Sequence, residues 1–197
     1  MWQPERSSGL AIIVFRPLIF IPSLSHYHIY PIAHYTMKHL KTYNYKEALN
    51  KAANLCSRKE KCASDIEKKI SGWGLTPEES DQGIDWLVEN KFIDNERFAR
   101  FFVRDKFRFN RWGKIKIAHA LRQKQLPAEI IELALNQEID AQDYINTLEK
   151  LLRSKAKRTI AIDLYEKKAK LARFAAGRGF EQDLVFSVID RIVENGE

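Results

Sequence analysis

The sequence predicts an all-α fold built of three tandem three-helix repeats that form an elongated, curved array. A recurring apolar template is the first observation behind this. Ile66, Ile70, Leu75 and Ile84 reappear 51 residues later as Ile117, Leu121, Leu126 and Leu135, and a further 54 residues on as Leu171, Ala175, Phe180 and Ile189. The steps of 4, 5 and 9 are the same in every copy. A step of 4 is one helical turn; the step of 5 crosses a break at Gly74, at Gln125 before Pro127, and at Gly177 and Gly179. The second observation is that no period-two alternation follows Met37. The third is composition: 45% apolar and 30% charged residues support a packed core rather than a disordered chain. Self-similarity near fifty residues marks a modular array in which each unit shelters its apolar face against a neighbour.

Repeat 1 spans 45–93. Its first helix runs from Lys46 to Cys56, with Ala48, Leu49, Ala52 and Leu55 on the inner stripe, and its second from Ala63 to Trp73. Thr76, Pro77 and Glu79 then give a capping box with proline at the first helical position, which starts a helix ending near Asn90. Repeat 2, 94–138, opens on Asp94 as N-cap. Gly113 marks the junction to its second helix and Pro127 the start of its third. Repeat 3, 140–194, starts at Asp140 or Asp143, continues in a long helix from Thr159 to Ala176, and closes with a helix from Glu181 to Val193.

Residues 1–36 differ from the rest. They contain one carboxylate, Glu5, and an apolar run from Leu10 to Leu24 broken by Arg16, Pro17, Pro22 and Ser23. The breaks and the missing small-residue cleavage site argue against a secretory signal, and the run falls short of the ~20 apolar residues of a membrane span. Three readings stand: an extension that is unstructured or not native, with the start at Met37; a docking tail; or a targeting or membrane element. The two cysteines, Cys56 and Cys62, match no zinc or redox spacing and are expected to be free thiols.

Charge carries the functional argument. The net charge of +7 and pI near 9.3 favour an acidic partner. Between Arg97 and Lys124 lie ten cations against the single acid Asp105, and between Lys150 and Arg178 ten cations against Asp163 and Glu166. Natural surfaces intersperse signs, because like charges repel, so long runs of one sign point to a working surface. The contact candidates are Arg97, Arg100, Arg104, Arg108, Arg111, Lys114, Lys116 and Lys124, with Lys155, Lys157 and Arg158 as a second patch. Reversing Arg104, Arg108 and Arg111 is expected to leave the helical fold intact. Among the interleaved aromatics, Phe98, Phe101 and Phe102 fall at core spacing, which leaves Phe107, Phe109 and Trp112 as candidates for base stacking. The histidines are scattered, and the chain shows no phosphate loop, metal-ligand cluster or nucleophile paired with a base. No catalytic residue, metal or cofactor is expected.

The run Phe92-Ile93-Asp94, Phe98-Ala99, Phe102-Val103, Gly113, Ile117, Leu121, Lys124 and Leu126 resembles the hallmark pattern of the RecX family of recombination regulators, and Phe174 with Gly177-Arg178-Gly179-Phe180 agrees with it. Two features depart from the pattern. Gln125 stands where a glycine is expected, which predicts a tighter or helical turn there, and residues 1–36 have no counterpart. The resemblance implies a cytoplasmic bacterial protein that binds the RecA recombinase and especially its nucleoprotein filament; a monomer with no membrane partner is expected. The resemblance further implies inhibition of strand exchange, ATP hydrolysis and coprotease activity, and so a place in DNA repair and SOS regulation. The competing reading is a helical protein that binds single- or double-stranded DNA by itself, without sequence preference.

Overall fold

The computed structural model describes residues 42–194. The readings made for residues 1–36 lie outside the described residues. Nine helices and no strand occur among the described residues: α1 Tyr45–Arg58, α2 Ala63–Ser71, α3 Pro77–Glu89, α4 Asn95–Arg108, α5 Lys114–Arg122, α6 Ala128–Glu138, α7 Ala141–Ala156, α8 Leu164–Arg178 and α9 Gln182–Glu194. Helices α1–α3, α4–α6 and α7–α9 pack as three successive groups, and extensive helix-on-helix contact stays within each group.

Local chemistry sets the helix starts. Asn44 with Glu47 and Thr76 with Glu79 form complete capping boxes, in which each side chain satisfies a backbone N–H of the first turn. Asp94, Asp140 and Asp163 each accept from the N–H three residues on. The long helix predicted from Thr159 begins instead at Leu164. Asp163 caps it there, while Thr159 turns back to donate its hydroxyl to the Lys155 carbonyl. The pair Asp163 and Glu166 at N-cap and N3 was the signal for this start.

The apolar template maps onto the core. Ile66, Ile70, Ile117, Leu121, Leu126, Leu135, Leu171, Ala175, Phe180 and Ile189 are buried, and only Leu75 and Ile84 of the first repeat are half-buried. The break in each copy is one left-handed residue at the same place: Gly74 at φ +91°, Gln125 at +61° and Gly179 at +84°. The turn at Gln125 is therefore neither tighter nor helical. A glutamine has taken the glycine conformation, at a cost of order 1 kcal/mol, and Leu126 behind it still reaches the core.

Two apolar clusters result. Ala52, Cys56, Ile66, Ile70, Leu87 and Ile93 form one inside the first repeat. The second runs without interruption through the second and third repeats and also takes in Cys62, from the loop before α2. Both cysteines are free and buried, and burial pushes the Cys56 thiol upward.

Candidate functional site

Helix α4 carries Arg97, Arg100, Arg104 and Arg108 at steps of three and four, so the four guanidinium groups share one face, and Arg111 continues the series just beyond the helix end. The acid that organises the row comes from another helix. Glu138, the last residue of α6, accepts from Arg104 Nε at 2.8 Å and from Arg104 Nη2 at 3.0 Å, a bidentate clasp between helices packed face to face. The Arg104 hydrogen bonds, helped by Arg104, Arg100 and Arg108 as nearby charges, hold the Glu138 carboxyl below the usual range, although its burial works the other way. Arg104 in turn lies 5.4 Å from the Phe101 ring centre.

Arg97 is also an internal brace. Its Nε donates to Glu60 Oε1 at 2.7 Å, tying α4 to the loop between α1 and α2. Arg100, Arg108 and Arg111 are different: all three are exposed and form no ion pair among the described residues. The geometry thus divides the predicted contact residues into braces and exposed cations.

The same division runs through the lysines. Lys124 Nζ reaches both carboxylate oxygens of Asp65, at 2.9 and 2.8 Å, while its carbonyl accepts from the buried Ser64 hydroxyl at 2.7 Å, so Lys124 fastens the first repeat to the second. Burial raises the Asp65 carboxyl, but the Lys124 hydrogen bond and charge outweigh it and the net shift is downward. Lys114 sits over the Tyr144 ring at 5.1 Å, and Lys116 donates to the Gly177 carbonyl at 3.1 Å while lying over Trp112. Both span the junction of the second and third repeats. In the second patch Lys155 lies over Phe174, Arg158 bonds back to Ser154, and Lys157 is exposed at the end of α7.

The aromatics require correction. Phe107 is buried against Tyr144, with ring centres 5.9 Å apart, and is core rather than a stacking platform. Trp112 is half-buried beneath lysines, whereas Phe101, assigned to packing from its spacing, is exposed. Phe109 alone of the three stacking candidates stands free, at 80% exposure. Sequence reasoning did not reach Glu60, Asp65 and Glu138, the acids that neutralise three of the named cations, because each lies more than thirty residues from its partner. No helix among the described residues is long and apolar enough to cross a membrane.

Comparison with known proteins agrees with this architecture. Residues 94–135 match the family model for the second three-helix domain of RecX, and residues 142–189 match that for the third. The regulatory protein RecX of Lactobacillus johnsonii is 27% identical over 145 residues, which is 74% of this chain but only 53% of that relative, so the chain spans about half its length. That of Prosthecochloris aestuarii is 27% identical over 151 residues, covering 76% of this chain and 96% of the relative. Among solved structures, the crystal structure of RecX from Lactobacillus salivarius superposes with a TM-score of 0.68 at 20% identity, over 76% of this chain and 97% of that one, and shows the same fold. Two successive three-helix units of this chain match the second and third three-helix domains of RecX, and relatives named regulatory protein RecX align over about three quarters of it, so the chain is similar to the RecX family from the second repeat through the third.

Proposed function

We propose that this chain binds the RecA recombinase, as its nucleoprotein filament on DNA, through the cationic face of α4, and thereby restrains recombinase and coprotease activity without being an enzyme. In this reading it acts as a monomer in the cytoplasm. The observation that carries the reading is the trio Arg100, Arg108 and Arg111, left exposed and unneutralised while their neighbours Arg97 and Arg104 are each satisfied by an acid. Keeping three such unpaired charges in one row costs self-repulsion, which an anionic partner relieves. A helix of 14 residues such as α4 is about 20 Å long. Three such groups in series offer a surface able to meet more than one filament subunit, and preferential binding to one filament state shifts the population toward it.

The variant R100E/R108E/R111E tests this. Arg104 is excluded, because a glutamate there would face Glu138 and weaken the fold. The expected result is unchanged helical circular dichroism with loss of both filament co-sedimentation and inhibition of strand exchange. Retained inhibition overturns the reading.

Phe109, exposed beside Arg108, favours a second reading in which the face binds nucleic acid unaided, with stacking added to phosphate contacts. That reading requires tight binding to bare single- or double-stranded DNA, with a log affinity against log salt slope on the order of several units. Binding to filaments that far exceeds binding to bare DNA decides for the first.

A further inference from the structure

We propose that the loop between α7 and α8 is a second docking element, which seats two isoleucines in an apolar recess of an acidic protein surface. Ile160 is 90% and Ile162 96% exposed, while Ala161 between them is half-buried, so the two aliphatic side chains project outward from the same short segment. Leu164 and Tyr165, the latter 83% exposed, extend the patch. Single exposed apolar residues are ordinary; four within six positions form a patch of the kind that marks an interaction site.

The loop is also held for presentation. Ile162 N–H donates to Glu166 Oε2 at 2.7 Å, Lys170 Nζ donates to the Ile160 carbonyl at 2.8 Å, and the Thr159 hydroxyl is bonded to the Lys155 carbonyl. Backbone fixed in this way loses less freedom on binding.

The surroundings choose the occupant. Lys155, Arg158, Lys170 and Arg173 line a recess with Ile160 and Phe174, and Lys157 and Lys167 flank the loop. The local acids are committed, Asp163 as the cap of α8 and Glu166 to Lys170. A cationic rim around an aliphatic tip complements an acidic rim around an apolar hollow. Nucleic acid fits less well, since aliphatic side chains offer no stacking surface. A bilayer fits less well too, since insertion would carry the Asp163 carboxylate into the apolar phase. The chain's own first 36 residues, with one carboxylate, do not supply an acidic rim.

This inference rests on the filament reading above and adds the protein subunits of the filament as the surface that the loop meets. Its test compares the full chain with I160S/I162S and with the conservative I160L/I162L, against RecA filaments on single-stranded DNA, bare single-stranded DNA and phosphatidylserine vesicles. A filament affinity lowered about fivefold or more by the serines and kept by the leucines, with DNA binding and thermal midpoint unchanged, is the expected result. A smaller loss while the wild type binds filaments overturns the loop's role and leaves the filament reading standing. No wild-type binding to filaments overturns both. A serine-dependent loss on bare DNA or on vesicles overturns the protein surface as occupant.

Discussion

Gly113, which precedes α5 in the second repeat, and Gly179, which follows α8 in the third, lie backbone against backbone: the Gly113 N–H donates to the Arg178 carbonyl at 2.8 Å, and the Ile115 N–H to the Gly179 carbonyl at 3.1 Å. A Cβ on Gly113 would overlap the Gly179 carbonyl, and one on Gly179 would overlap Lys116. G113A is therefore expected to destabilise the chain by about 2–3 kcal/mol in urea denaturation, and G179A, at φ +84°, by a similar amount. G177A is the control. A Cβ there meets nothing within 4 Å, so this helical glycine should gain stability by up to about 0.5 kcal/mol.

Tyr144 closes the same junction. Its buried hydroxyl accepts from the Lys114 N–H at 2.9 Å and donates to Glu181 Oε2 at 2.6 Å, and burial, with the Glu181 hydrogen bond, pushes the phenol far above its ordinary range. Y144F strands a backbone donor at the start of α5 and leaves the Glu181 carboxylate one donor short. It should cost about 1–3 kcal/mol. Ultraviolet titration of the wild type should show this tyrosine ionising only as the chain unfolds in alkali.

Lys124 was a contact candidate by its place in a basic run, and the fold makes it a brace to Asp65. K124M should accelerate limited proteolysis of the segment 59–62, between α1 and α2, as the first repeat loosens from the second. The salt dependence of partner binding should not change. A lower salt slope in K124M would return Lys124 to the interface.

Glu138 gives the acid response a sign. Its carboxyl is held below the unfolded value mainly by the Arg104 hydrogen bonds, so the unfolded chain takes up the proton first as pH falls. The stabilisation is thus complete above the ordinary carboxylate range and is lost as pH drops through the folded value. Asp65, also lowered on balance, acts in the same direction. E138Q should be less stable than wild type at pH 7, and the gap should narrow toward pH 3, as read from thermal midpoints across that range.

Salt offers a measure of the exposed trio. Each of Arg100, Arg108 and Arg111 that meets a phosphate should contribute about one unit to the log affinity against log salt slope on DNA, and alanine at that position should remove it. Alanines that weaken filament binding while leaving the slope on bare DNA unchanged assign these arginines to the protein component.

The order of the helices was legible in the sequence because its causes are local. Capping at Thr76 and Asp94, and the spacing of Ile117, Leu121 and Leu126, act within a turn or two of chain. Where a local signal was passed over, at Asp163, the predicted helix began early and took the exposed Ile160 and Ile162 with it. The left-handed turn at Gln125 shows the opposite case, a conformation imposed by the packing of Leu121 and Leu126 against residue preference.

By itself the sequence determined the repeat, the helical class and the stretches rich in cations, since periodicity and composition are properties of the chain. Only the tertiary structure decided which cations are committed. Arg104 meets Glu138 across 34 positions and Lys124 meets Asp65 across 59, and helical spacing says which face a residue lies on but not what another helix brings to that face. An ion pair formed between helices turns a charge from a contact into a brace, and that depends on packing alone.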